Sequence, residues 1–256
     1  LLERVCDNWP GGFVADYLIV CGGFVLADWP GKLNIRWVRD PTDEEQDEIH
    51  GAGKRCAAKL LSTKLVARLK KVCKFFSFGV DVYQGDGIVD PHAEMVCLIE
   101  TATGKTHWTC KFLPVDKQKA KLVVPFGMES HFIRCGKDRV MILGCHDLWA
   151  FVKRGRKHSG ETDKDRARKE IARLTRERRP TVVLQHPHTS DFVQTWSGSW
   201  GGLKRHVGDS LKAAASAGRH PRRTTRGDIV RTTDLLDRIL AATRTGPTMD
   251  IVVRAK

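Results

Sequence analysis

The chain has 256 residues, 41% hydrophobic and 29% charged, which gives enough apolar surface for a packed core. Wholesale disorder is excluded, and the longest apolar run, residues 17–27, is about half the ~20 residues of a membrane helix. Lys and Arg number 44 against 30 Asp and Glu, a net charge of +14. Residues 153–179 contribute +7 and residues 203–231 contribute +6, so the remainder is almost neutral. Such windows suit a polyanion, but they equally suit two solvated charged faces. Nucleic acid is therefore an open partner and not the favoured one.

Eight cysteines occur without a C-x-x-C pair, in a chain too long to need disulfide staples. They read as reduced thiols in a cytoplasmic protein. No signal-peptide pattern is read at the start. The chain opens Leu1-Leu2-Glu3 without Met, so residues upstream are expected. The whole of 1–256 reads as one domain.

In chain order, residues 16–20 form a short apolar run consistent with a buried strand, and 24–40 reads as a loop broken by Trp29-Pro30-Gly31. Asp40-Pro41 reads as an N-cap and first helical residue, followed by acidic residues suited to a helix start. Gly51 and Gly53 are expected to interrupt that helix. From Lys54 it resumes, with Leu61, Leu65, Leu69 and Val72 on one stripe.

Residues 74–83 alternate Phe76, Phe78, Val80 and Val82 on one face of a strand. A turn at 84–91 leads to strands at 93–100 and 105–112, joined through Thr101-Ala102-Thr103-Gly104. A further strand pair, 132–133 and 139–143, flanks Gly136-Lys137-Asp138. Residues 163–179 read as an exposed helix, ended by Pro180, and 181–185 as a buried strand. Beyond that, helices are expected at 203–217 and 235–242, a basic loop at 219–226 and a last strand at 250–253. Alternating strands and helices predict a layered α/β domain.

The chemistry concentrates at Val140-Met141-Ile142-Leu143-Gly144-Cys145-His146-Asp147, where an apolar strand runs into Gly-Cys at a sharp turn. A strand's carboxyl end is where open α/β sheets place their sites. A thiol there is a candidate nucleophile if a nearby cation lowers its pKa, and otherwise a buried structural Cys. Upstream lie Met95-Val96-Cys97-Leu98-Ile99-Glu100, Thr103-Gly104-Lys105 and Lys111-Phe112-Leu113-Pro114.

This order resembles the nitrilase, or carbon–nitrogen hydrolase, superfamily over roughly residues 16–208. The resemblance is specific only around Lys111 and Cys145. It implies a two-sheet sandwich flanked by helices, α-β-β-α, and association of copies into a homo-oligomer. It further implies a small-molecule amide or nitrile substrate attacked by Cys145. Lys111 would stabilise the intermediate with the His146 backbone N–H as second donor. Neither metal nor cofactor is called for. The superfamily's third residue, a Glu in a Pro-Glu turn after the early strand, is missing, because Cys21-Gly22 stands there. Asp28, Glu94 and Glu129 remain as candidate bases.

His146, His186, His188 and Trp196 are candidate pocket residues, with residues 196–202 expected as a loop beside the site. Two other readings stay open. One is a catalytically silent nitrilase-like binding module with a basic surface. The other is a metal-dependent phosphoesterase using His146, Asp147, His186 and His188 with Asp86 and Asp90, a faint resemblance that lacks the usual early Asp-x-His.

Overall fold

The structure, a computed structural model, describes residues 1–33, 41–85, 90–115, 118, 121–152, 162–188 and 193–218, with 193–197 by backbone alone. The helix, strand and loop expected at 235–242, 250–253 and 219–226 lie outside these residues, as does Asp86.

Two sheets form. The first has the order β1 (Ala15–Ile19), β3 (Cys73–Tyr83), β4 (His92–Glu100) and β5 (Thr106–Cys110), and β2 (Val25–Asp28) also pairs with β3. The second has the order β6 (Phe132–Cys135), β7 (Asp138–Leu143), β8 (Val182–Gln185) and β9 (Ala213–Ser216). Helices α1 (Leu2–Asp7), α2 (Asp43–Leu60) and α3 (Thr63–Leu69) precede β3. Helices α4 (Asp163–Arg178) and α5 (Val193–Val207) flank β8 in sequence.

The period-two alternation of the strands divides the core into three layers of side chains. On β3, Phe76, Phe78, Val80 and Val82 pack with Ile49 and Ala52 of α2 and with Leu65 and Leu69 of α3. On β7 and β8, Met141, Leu143 and Val183 pack with Ile171 of α4 and with Trp200 and Leu203 of α5. The opposite faces meet each other, Val96 and Leu98 of β4 against Val140, Ile142, Val182 and Leu184. The architecture is thus helices, sheet, sheet, helices, the α-β-β-α sandwich that the nitrilase resemblance implies.

Some expectations are corrected. The 24–40 loop contains a strand, β2, parallel to β3. Helix α2 is capped by Thr42, whose side chain and that of Glu45 satisfy each other's backbone N–H, and it runs unbroken through Gly51 and Gly53. Gly53 is tolerated because Met95 packs where its Cβ would be. The helix then ends at Leu60, and Ser62 caps the separate helix α3. Residues 196–202 are helical, within α5, and this helix stops at Val207. Residues 213–216, read as helix, form β9 against β8, where tertiary pairing overrides the helix propensity of the alanines.

Along the free edge of β3, β1 and β2 are two halves of one interrupted strand. From Ile19 to Val25 the chain takes six steps while β3 takes three, from Ser77 to Val80. The surplus bulges out at Cys21-Gly22-Gly23.

Candidate active site

The alternation that sends Phe78, Val80 and Val82 to the helices sends Asp81 to the other face of β3, toward the second sheet. Its register partner on β4 is Glu94, which shares its face with Val96 and Leu98. Two carboxylates therefore lie side by side in an otherwise apolar space, with Asp81 1% and Glu94 4% exposed. Burying them demands partners.

Lys111, one residue past β5, supplies the first. Its Nζ donates to Glu94 Oε1 at 2.8 Å and to Gln118 Oε1 at 2.7 Å, and its side chain is 2% exposed. Gln118 closes the network, its Nε2 lying 2.7 Å from Glu94 Oε1 and 3.1 Å from His92 Nε2. Burial works to raise the Glu94 pKa, but the Lys111 charge and the neighbouring histidines outweigh it and hold the carboxyl well below its usual range.

Cys145 lies two residues past β7, after Gly144, and is buried. Asp147 fixes the turn: Oδ2 accepts from Gly144 N at 2.9 Å, while Oδ1 accepts from Phe112 N at 3.1 Å and Leu113 N at 3.0 Å. One carboxyl thus ties the Cys145 turn to the Lys111 segment. Gly144 is required at that junction, since a Cβ would lie 2.8 Å from Lys111 Cβ. Gln185 Nε2 holds the Cys145 carbonyl at 3.0 Å. Burial alone would raise the thiol pKa, but the His146 and His188 side chains and the Lys111 charge bring it down to about 6.

His188 supplies the second partner for the carboxylates. Its backbone N–H points at Cys145 Sγ at 3.4 Å, its Nε2 lies 2.6 Å from Asp81 Oδ2, and its Nδ1 is 3.4 Å from Glu94 Oε2. Tyr83 also donates to Asp81 Oδ2, at 3.0 Å. Burial would lower the imidazole pKa, but Asp81, Cys145 and Glu94 raise it to about 11. Both shifts favour the thiolate–imidazolium form of the pair.

The ring fits because of the bulge in the edge strand. A Cβ on Gly22 would lie 3.1 Å from His188 Cε1 and Nδ1 and 2.7 Å from the His186 carbonyl oxygen. His188 thus occupies the space beside the backbone position where the resemblance places its missing Glu.

The structure brings together Cys145, Lys111, Glu94, His146 and His188 among the residues singled out from sequence. It does not bring in Asp28, which is exposed at the end of β2, with no hydrogen bond or ion pair to Cys145 or Lys111. Glu129 is also elsewhere, 60% exposed and paired with Arg178 at 2.8 Å. His186 is a hydrogen-bonded core histidine, its Nε2 3.0 Å from Ser77 Oγ and its Nδ1 2.7 Å from the Val20 carbonyl. Burial lowers its pKa to about 4, so it stays neutral. Trp196 lies in α5, and its side chain is outside the described residues.

Among the described members of the phosphoesterase ligand set, His186 is bonded to protein at both nitrogens and Asp147 to three backbone amides. Among the described residues no group of three or more His, Cys, Asp and Glu is arranged to hold a metal ion. No described helix is long and apolar enough to cross a membrane.

Sequence reasoning missed Asp81, Gln118 and His92. The available signal for Asp81 was a charge inside an otherwise buried strand, which is rarely placed there without a partner.

The two sheets flanked by helices are a divergent, nitrilase-like sandwich. Among solved structures, the chain is similar to an amidase from Nesterenkonia sp., with 13% identity, a TM-score of 0.45 and coverage of 86% of this chain and 66% of that one. It is likewise similar to a variant of the amidase from Nesterenkonia sp. AN1 carrying acrylamide added at its active-site cysteine. There the identity is 15% and the TM-score 0.46, over 87% of this chain and 70% of that one. The chain thus spans about two thirds of the amidase's length. No protein-family model and no curated protein matches the chain.

Proposed function

We propose that the protein is a thiol-dependent hydrolase of a non-peptide carbon–nitrogen bond, in a small amide or nitrile, acting through a covalent intermediate on Cys145. The observation that carries this reading is a buried thiol at the carboxyl end of a strand, next to a glycine packed against buried Lys111, with its pKa drawn down to about 6. Five other cysteines, Cys6, Cys73, Cys97, Cys110 and Cys135, are pushed upward by burial instead.

In this reading the Cys145 thiolate attacks the carbonyl carbon and the electron pair of the C=O bond moves to oxygen. Lys111 spends two N–H bonds on Glu94 and Gln118 and keeps its third for that oxygen. The His146 backbone N–H is the second donor. Because Cys145 is 6% exposed, short unbranched amides and nitriles are the substrates of first choice.

Two measurements test this. Iodoacetamide at neutral pH, mapped by mass spectrometry, is expected to modify Cys145 ahead of the other thiols. Ammonia release from a panel of short amides and nitriles is expected from the parent chain and not from Cys145→Ala. Modification elsewhere with Cys145 untouched, or no ammonia from any compound, overturns the proposal in favour of a silent binding module.

A further inference from the structure

We infer that His188, oriented by Asp81, is the acid and base of this site, in the space left by the absent glutamate. The inference rests on the hydrolase reading above and deepens it. It stands on geometry: a residue whose backbone N–H points at the thiol, one ring nitrogen fixed on a buried carboxylate, and a bulged Gly-Gly backbone that makes room for the ring.

The candidate bases singled out from sequence do not suit the task. Glu94 is committed to Lys111 and Gln118 through Oε1, and its depressed pKa makes it a poor base. Asp28 and Glu129 are elsewhere, and His186 has both ring nitrogens engaged. The charged and titratable groups facing the His188 ring are Asp81 from β3, Glu94 from β4, and Cys145 from the turn after β7. His146 and Lys111 also lie against the thiol.

The ring's two nitrogens divide the work. Nε2 is fixed on Asp81, which sets the ring's orientation and favours its protonated form. Nδ1 faces Glu94 Oε2, a buried oxygen without a hydrogen-bond partner among the described residues, and is the nitrogen left to carry the proton.

The proton balance closes with these residues alone. Cys145 Sγ forms a bond to the amide carbon, and the C=O electron pair moves to oxygen. When it returns, the C–N bond breaks and the nitrogen takes the Nδ1 proton, leaving as ammonia or an amine. The thioester then faces a neutral imidazole. Nδ1 takes a proton from water as the hydroxide oxygen bonds to the same carbon. Collapse breaks the C–S bond and returns the electron pair to sulfur. The acid departs, and the thiolate–imidazolium pair is restored. Asp81 touches no reacting atom and is a positioning residue.

The experiment uses the full chain and the panel of short amides, with ammonia release and intact-protein mass as readouts. His188→Gln is expected to lose turnover by ~10²-fold or more, the scale of an acid–base group. In His188→Ala, added imidazole should restore part of the rate, with a pH dependence that follows imidazole. Asp81→Asn should keep Cys145 alkylatable and shift the pH–rate profile. If the parent turns over and His188→Gln turns over equally, the inference falls while the hydrolase reading stands. If the parent releases no ammonia, the hydrolase reading falls and takes the inference with it. Should His188→Gln fail to fold, Asp81→Asn decides, and an unchanged pH–rate profile there overturns the inference.

Discussion

Gly22 and His188 compete for one space: a Cβ on the glycine would come within 3.1 Å of the imidazole's Cε1 and Nδ1. A side chain at position 22 and the imidazole of His188 therefore exclude each other. Gly22→Ala would also press on the His186 carbonyl at 2.7 Å, which is backbone and cannot turn aside. The expected cost is about 1–3 kcal/mol, the usual scale of overpacking. Urea denaturation measures it, and iodoacetamide kinetics should show a less acidic Cys145 in the same variant.

Lys111 and Glu94 form a buried pair, so removing one partner strands the other. Lys111→Met is expected to cost about 3–5 kcal/mol of stability, and any amidase turnover should fall ~10²-fold. The double variant Lys111→Met/Glu94→Leu should be less destabilised than the sum of the singles. A double-mutant cycle by chemical denaturation checks this, and strict additivity would mean the two side chains do not act as a pair.

The opposed shifts of Cys145 and His188 give stability opposite pH dependences. The thiol falls from 9.0 to about 6, so its contribution is full above pH 9 and is lost as pH falls toward 6. The imidazole rises from 6.5 to about 11, so its contribution is full below pH 6.5 and is lost as pH rises toward 11. The stability gap between the parent and Cys145→Ala should therefore widen from pH 6 to 9. The gap to His188→Gln should narrow over the same range. Denaturation midpoints across pH provide the comparison.

Asp147 accepts three backbone N–H groups, and each buried donor left unpaired costs roughly 1–3 kcal/mol. Asp147→Ala should thus be among the most destabilising single changes in the chain. Asp147→Asn, which keeps one accepting oxygen, should cost less and still separate the Cys145 turn from the Lys111 segment. Thermal melts of both variants rank them, and a larger loss for Asn would contradict the assignment.

Lys111 and Cys145 were legible in the sequence because local pattern carries them. A strand running into Gly-Cys and a strand running into Lys-Phe-Leu-Pro are each contiguous. Asp81 and His188 take their roles from register and from the facing of two sheets, which no local window contains. The 1:1 pairing of Asp81 with Glu94 depends on a hairpin register across the turn between β3 and β4. The bulge at Gly22 depends on β1 and β2 sharing one edge of β3. Asp28 looked eligible because it is near the missing Glu in sequence, but β2 carries it out along the edge into solvent. The helical spacing of residues 196–202 was hidden by glycines and serines, which suggest a loop until Trp200 and Leu203 are seen packed on the second sheet.

Polar contacts tie the two sheets together across their apolar seam, among them His186 to Ser77 and Val20, His188 to Asp81, Asp147 to Phe112 and Leu113, and Tyr17 to Asp138. Cys145 rides on one sheet while Lys111, Glu94 and Asp81 ride on the other. The acidity of the sulfur comes first from His146 and His188 on its own sheet, but His188 holds its proton through Asp81 across the seam, and Lys111 adds its charge from that side. A chain whose strands persist but whose sheets have parted should carry a less acidic, slower thiol. The alkylation rate at neutral pH is then a gauge of tertiary alignment read at a single atom. Reactivity at Cys145 should fall at the first loosening of the sandwich, ahead of any loss of secondary structure.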